Sequence, residues 1–229
     1  MQTLPTGWVE ARRNKGHRWE TKVTIAGVEY SEAHIYDLSV RAALYSSGMV
    51  AIGGCVSKEI DLVIMPQGTI PRMAEIRVFT RPIAAEIDTA WLQKGVFYID
   101  TRETDKVTGI MTIHGYDAML KAEQTFLTET TEDDWPKPMD QVVAEIAKRM
   151  GVTVDRRSAV SHTLEAGYPL EYTMREVLGY IASAHAGNWI VTDAGELRLV
   201  GLADIPAETF YLVTEDGDAI LFGDTRILI

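Results

Sequence analysis

Two hydrophobic periods divide the chain. Up to residue 115 apolar side chains recur at every second position in short runs between turn residues, whereas beyond residue 138 they recur at helical spacing, so a β-rich region is expected before a mixed one. The clearest stretch is residues 95–121, GVFYIDTRETDKVTGIMTIHGYDAMLK. Val96 to Thr101 is rich in aromatic and β-branched residues, and Val107, Gly109, Met111 and Ile113 alternate with Thr108, Ile110, Thr112 and His114. The polar cluster Arg102 to Lys106 between them predicts a hairpin loop. After Gly115, Tyr116, Met119 and Leu120 fall at i, i+3 and i+4, which predicts a short helix with Asp117 as its cap.

Upstream, residues 18–30 hold two β-favouring runs around Ala26-Gly27, a second predicted hairpin, and further strands are predicted over 34–44, 56–65 and 74–81. Gly48, Gly53 and Gly54 could suggest a phosphate-cradling loop, but a β-type run follows where a dinucleotide fingerprint needs a helix, so a bend or bulge is expected. Residues 1–17, with Pro5, Gly7 and Gly16, read as an extended or mobile arm that Trp8 could pin. Seven strand-like runs with scarcely a helix among them predict an antiparallel barrel or sandwich.

Residues 122–137 are acidic, polar and proline-bearing, and read as a linker. A helix starts at Pro138, with Met139, Val142, Val143, Ile146 and Met150 on one face and Gly151 as its stop. Thr173 and Glu176 have capping-box spacing, so a second helix is expected to about His185, with Val177, Leu178, Ile181 and Ala182 inward. A hairpin over 189–192 and 196–200 follows, turning at Asp193-Ala194-Gly195. The fold class is therefore α+β, mainly β: an N-terminal antiparallel β-domain (1–121), an acidic linker (122–137), a small two-helix plus hairpin domain (138–205) and C-terminal strands (206–229) that could start, or be the remnant of, a second β-domain.

The strand GVFYI, the charged loop and the strand running into GYDAMLK resemble the N-terminal β-domain of phage tail baseplate hub proteins, including the N-terminal hub part of phage tail-associated proteins. Residues 168–202, YPLEYTMREVLGYIASAHAGNWIVTDAGELRLVGL, resemble the helix and hairpin that follow it there, and residues 52–64 match more loosely. Order and spacing carry the likeness; no single motif does. The resemblance implies a homotrimeric hub ring at the tail tip of a phage or prophage, joining the tail tube to the baseplate or fibre, with viral DNA passing through its centre. Its partners would be other tail tube and baseplate proteins, and its location the virion after synthesis in the bacterial host cytoplasm. Hub proteins of this kind carry a second β-domain; with only residues 208–229 left for one, the terminal strands are expected to pair with their own β-domain, another subunit or a continuation of the chain. The alternatives are a tail-associated cell-wall hydrolase or endopeptidase, and a carbohydrate- or receptor-binding module, which an exposed aromatic platform would distinguish.

Composition narrows the chemistry. The 229 residues, 46% hydrophobic and 24% charged, suffice for a sizeable core. The single cysteine, Cys55, permits no internal disulfide and no cysteine cluster. A net charge of -11 argues against a dedicated nucleic-acid binder, and the basic residues Arg12, Arg13, Lys15 and Arg18 precede no apolar run, so no signal peptide or membrane segment is expected. The five histidines are scattered and form no helical zinc pair. Asp100, Glu103 and Asp105 make the best case for a glycosidase-like carboxylate pair, but Arg102 and Lys106 beside them oppose the raised pKa that a general acid requires. No catalytic residue, no cofactor-binding residue and no metal ligand is therefore assigned. Trp8, Trp19 and Trp135 serve either as core or as anchors for another chain.

Overall fold

The computed structural model describes residues 4–44, 51–84, 87, 89–127, 134–201, 221–222 and 225–226. Strands β1 (Arg18–Ile25), β2 (Val28–Tyr30), β3 (Ile35–Arg41), β5 (Glu59–Ile64), β6 (Glu75–Ile83), β7 (Leu92–Thr104) and β8 (Met111–Tyr116) form one antiparallel sheet in the order β2-β1-β6-β7-β8-β5-β3. The strands at its two edges, β2 and β3, are joined only by residues 31–34. That link reaches at most roughly 18 Å, whereas six strand spacings in a flat sheet would separate the edges by about 29 Å. The sheet must curl, and it forms a half-barrel.

Inside the curl lie Val23, Ile25, Ile60, Leu62, Ile64, Ile76, Val78, Phe97, Ile99 and Ile113. β5 shows the expected alternation, Ile60, Leu62 and Ile64 buried between less buried neighbours. β7 does not: Val96, Phe97, Tyr98 and Ile99 are all buried. Phe97 and Ile99 face the half-barrel core, while Val96 and Tyr98 belong to a second hydrophobic cluster on the other side, so both faces of this strand are covered.

That second cluster is built by α2 (Met139–Met150), α3 (Met174–Ala184), the 3-10 helix Ala118–Glu123 and the hairpin β11 (Gly187–Val191) to β12 (Leu197–Gly201). Val142, Val143, Ile146 and Met150 of α2 are buried as their spacing predicts, and Gly151 ends the helix in the left-handed region. Thr173 and Glu176 form both halves of the capping box on α3. Trp189 of β11 is fully buried, and its indole N–H donates to the Leu178 carbonyl at 2.9 Å. A short pair, β9 (Lys137–Pro138) with β10 (Glu165–Ala166), leads into α2.

Several elements differ from expectation. Residues 8–13 are a helix, α1 (Trp8–Arg13), held by Trp8 and Ala11, which share a face at i and i+3; both are buried, and the Trp8 indole donates to the Ala90 carbonyl at 2.8 Å. The strand expected over 56–65 is broken: Cys55–Val56 (β4) pairs in parallel with β11, in another sheet from β5. β8 begins at Met111, because the Asp105 carboxylate accepts from Val107 N and Thr108 N and Gly109 adopts φ 75°, which turns residues 105–109. The helix after Gly115 is 3-10, and Asp117 caps it by accepting from Met119 N. Just inside the acidic segment, Phe126 and Leu127 are buried in the second cluster; residues 128–133 lie outside the described residues. Near the end, β13 (Leu221–Phe222) pairs with β14 (Thr225–Arg226). The other residues of 202–229, and with them the expected pairing of the terminal strands with a further partner, lie outside the described residues. Among the described residues no helix is long and apolar enough to cross a membrane.

Candidate functional site

The three carboxylates weighed for catalysis sit on the solvent side of the β7–β8 hairpin. Asp100 occupies the bulge where the register with β8 shifts between Ile99 and Thr101, and Glu103 lies opposite Thr112. Glu103 and Asp105 line one open groove with Lys106 and Thr108; Asp100 is not part of it. The backbone N–H groups of Thr108 and Val107 hold the Asp105 carboxyl below its usual range, the reverse of what a general acid needs.

The densest polar network lies where residues 51–58 cross from the half-barrel to the second layer. Gly53 N donates to Gly187 O at 2.8 Å, Gly54 N to Asn188 Oδ1 at 2.7 Å, and Asn188 Nδ2 to Ala51 O at 2.6 Å. Gly53 has φ 81°, and a Cβ there would lie 2.1 Å from Ser183 Oγ of α3. Its glycine thus permits a close approach of loop to helix; nothing about it requires a phosphate. Arg175, in the first turn of α3, donates to Cys55 O at 3.0 Å, Ser57 Oγ at 2.9 Å and Met119 O at 3.3 Å, and its Nε lies 2.7 Å from a Glu123 carboxylate oxygen. Asp117, almost wholly buried, accepts from Lys58 N at 2.8 Å and Met119 N at 2.9 Å, and the Lys58 ammonium pairs with Asp193.

Beside this seam opens a cleft of about 580 Å³, lined among others by Arg41, Ser57, Glu59, Tyr116, Glu123 and Arg175. Its charged walls carry ion pairs: Arg41 meets Glu59 and Asp61, and Arg175 lies against Glu123, although its buried Nε makes no hydrogen bond there. The Cys55 thiol, also on its wall, is pushed up to about 12 by burial, so it stays protonated and is a poor nucleophile near neutral pH. Burial likewise raises Asp117, to about 6, against the opposing pull of the Lys58 and Met119 N–H groups and the Lys58 and Arg175 charges. Neither the spacing nor the composition of the sequence singles out Arg175 or Asn188, because their partners lie 120 and 134 residues away.

The histidines are each engaged locally. His114 Nδ1 lies 2.7 Å from Asp61 Oδ1, directly across the β5–β8 ladder, and this contact is the largest reason the Asp61 carboxyl sits below its usual range. His162 pairs with Asp140 at 2.9 Å, and His185 accepts from Ser161 N through Nε2 at 2.9 Å. His17 Nδ1 lies 3.0 Å from Asn14 O, and His34 Nδ1 lies 3.3 Å from Ser31 Oγ. Among the described residues, no group of three or more His, Cys, Asp or Glu side chains could hold a metal ion.

Of the tryptophans, Trp8 is core, Trp135 is half-buried against Phe126 and Tyr168, and Trp19 is 46% exposed. The exposed pair Tyr172 and Tyr180 meets edge to face at 85°, and Trp8 and Trp19 meet at 64°, so neither pair forms a coplanar two-ring platform.

No protein-family model matches the chain, and no curated protein sequence matches it. In three dimensions it is similar to the 43 kDa tail protein of prophage MuSo2 from Shewanella oneidensis, with a TM-score of 0.55 and 15% identity over 91% of this chain and 61% of that one. It is also similar to the tail protein from Neisseria meningitidis MC58 (TM-score 0.55, 10% identity, 88% of this chain and 53% of that one). A third likeness is to the prophage tail protein gp18 from Listeria monocytogenes EGD-e (TM-score 0.51, 8% identity, 86% of this chain and 55% of that one). At these identities the likeness is one of fold: the chain shares the fold of these tail proteins over most of its own length and over about half to three fifths of theirs.

Proposed function

We propose that the chain is a structural component of a phage or prophage tail, and within it part of a homotrimeric hub ring at the tail tip that connects the tube to the baseplate or fibre. The observation that carries this reading is the fold shared with three tail proteins, two of them from prophages, over 86–91% of the chain. The site chemistry supports a non-enzymatic role: the polar groups between the two layers are consumed in joining them, and Asp105 is held ionised in an exposed turn. In this reading the contribution of the chain is the shape and rigidity of its two-layered body.

The test is genetic and structural. Deleting the reading frame from an inducible prophage that encodes it, then imaging the released particles, should give tails that are missing or lack their tip, restored by expression in trans. Intact, infective particles from the deletion strain would defeat the proposal. Density for three copies around the tail axis in particles from the parent strain would carry the finer reading; any other copy number would remove the homotrimer from it.

A further inference from the structure

The segment from Leu4 to Trp19 shows solvent two kinds of side chain at once. Its charged residues are Arg12, Arg13, Lys15 and Arg18 against a single carboxylate, Glu10; all are exposed, and none forms an ion pair among the described residues. Elsewhere cations are commonly matched, as in Lys22 with Glu29 and Arg149 with Glu145. The apolar residues of the segment include Leu4, Val9 and Trp19, which are 44%, 50% and 46% exposed. Val9, Arg12 and Arg13 stand at i, i+3 and i+4 and so share one face of α1, while Trp8 and Ala11 are buried. Lys15 follows in the next turn, and the Trp19 ring borders the helix, edge to face with Trp8 at 5.6 Å. Arg18 points from the opposite side of β1 and stands at the margin of this face.

The frame beneath these side chains is fixed. The Trp8 indole is tied to Ala90 O, Ala11 N donates to Gly7 O at 2.8 Å, Asn14 N donates to Ala11 O at 3.1 Å, and β1 pairs with β6 along all eight of its residues. A frame already ordered loses little conformational freedom on docking. The face also has no large cleft: the larger clefts of the molecule are lined by residues from Arg41 onward. An anchoring side chain of a partner protein finds no deep pocket here to fill, and a single strand of nucleic acid finds no groove to track. A planar surface needs neither.

We propose that this face docks on the anionic headgroup surface of a lipid bilayer, with Arg12, Arg13 and Lys15 at the lipid phosphates and Val9 and Trp19 entering the interface beside them. Each cation held close to an anionic leaflet raises binding roughly fivefold. An indole settles at headgroup level, because its ring is apolar and its N–H is polar. Neither contribution suffices alone: cations without insertion are released by modest salt, and one indole with one valine bury too little area for attachment. Together they give a peripheral, reversible, salt-sensitive attachment. Such docking requires no membrane-spanning helix, and none is found among the described residues. Nucleic acid is the weaker occupant, since a phosphate backbone leaves the exposed Leu4 and Val9 without a counterpart. The inference goes beyond the tail role and does not depend on it.

The test is co-sedimentation of the full chain with vesicles of phosphatidylcholine, alone or with one third phosphatidylglycerol, at about 50 mM and about 500 mM salt, between which the screening length falls from roughly 14 Å to 4 Å. Binding should require the anionic lipid and fall at high salt. The variant carrying Arg12→Gln, Arg13→Gln and Lys15→Gln should bind on the order of a hundredfold more weakly. Val9→Gln should weaken binding severalfold. Tryptophan emission should shift to the blue on binding, and the shift should be lost in Trp19→Phe. Circular dichroism and the melting temperature check that the variants fold. No binding at low salt, equal binding to the two kinds of vesicle, or undiminished binding by the folded triple variant overturns the proposal. Charge-dependent binding with unchanged tryptophan emission also overturns it, because the apolar residues then take no part. Binding of labelled DNA without binding of vesicles assigns the face to nucleic acid instead. Each of these results leaves the virion role standing, since that role is read from particles and not from vesicles.

Discussion

Replacing Asp117 by Ala should destabilise the fold by about 2–4 kcal/mol. The side chain is 1% exposed and is the acceptor for two backbone donors, Lys58 N at 2.8 Å and Met119 N at 2.9 Å, so its removal strands two N–H groups at roughly 1–3 kcal/mol each, partly relieved by relaxation. Asp117→Asn keeps one acceptor oxygen and should cost about half as much. The pair also separates in its pH dependence. Burial raises the folded carboxyl to about 6, above its unfolded value near 3.8, so folding takes up a proton in that window. Stability from this group is therefore fully present below about pH 4 and is lost as pH rises through 6, on the order of 2–3 kcal/mol in all. Urea unfolding of wild type and Asp117→Asn at pH 7, 5.5 and 4 should show wild type gaining on the variant as pH falls. Asp155, which Arg157 and its N–H hold down at about 2, acts in the opposite sense and only below pH 4, so the two do not overlap. Parallel pH profiles for wild type and Asp117→Asn, or a cost below about 1 kcal/mol for Asp117→Ala, would refute the reasoning.

Gly53→Ala should cost about 1–3 kcal/mol, because φ 81° strains any L side chain and the new Cβ meets Ser183 Oγ; adding Ser183→Ala should recover the steric part but not the backbone part, as a double-mutant cycle in urea would measure. Thr173→Ala removes one half of the capping box and should lower stability by about 0.5–2 kcal/mol, with Thr173→Ser near neutral in the same thermal melts. Glu103→Ala should change stability by less than about 0.5 kcal/mol, as at other exposed surface sites, and should leave any action on purified cell walls unaltered. Release of sugar or peptide fragments by the wild type, lost in Glu103→Ala, would contradict the non-enzymatic reading.

Much of the fold was legible because local pattern and tertiary environment agree. In α2 the buried positions Val142, Val143, Ile146 and Met150 are those its helical spacing selects, and Gly151 supplies the left-handed residue that its end requires. The capping box of α3 is equally local, three residues from cap to partner. What was not legible depends on where an element goes. The alternation of Val56, Lys58, Ile60, Leu62 and Ile64 runs without interruption, yet Val56 pairs with Ile190 and Ile60 with Val40 and Gly115, in different sheets. Period 2 reports that a strand has two faces and carries no information about its neighbour. α1 is not legible because six residues between Gly7 and Asn14 give too short a window for a helical period, and its support is a bond from Trp8 to a residue 82 positions away.

The same logic explains how identities of 8–15% can accompany a shared fold. The demands this topology makes are positional: apolar residues on the concave side of the half-barrel, a strand apolar on both faces where the two layers meet, and a link of four residues between the sheet edges. Cores accept extensive hydrophobic substitution when volume and patterning are kept, so such demands constrain the period and order of the runs far more than the residue at each place. The polar seam is different. Asp117 has to accept from two particular N–H groups and Arg175 has to reach three oxygens and a carboxylate, so neither tolerates replacement by shape alone. A chain of this fold that lacked an acceptor at the position of Asp117 would have to close the corner between β5 and the 3-10 helix by other donors and acceptors, which makes that corner the place where its relatives by fold should either keep the carboxylate or rebuild the turn.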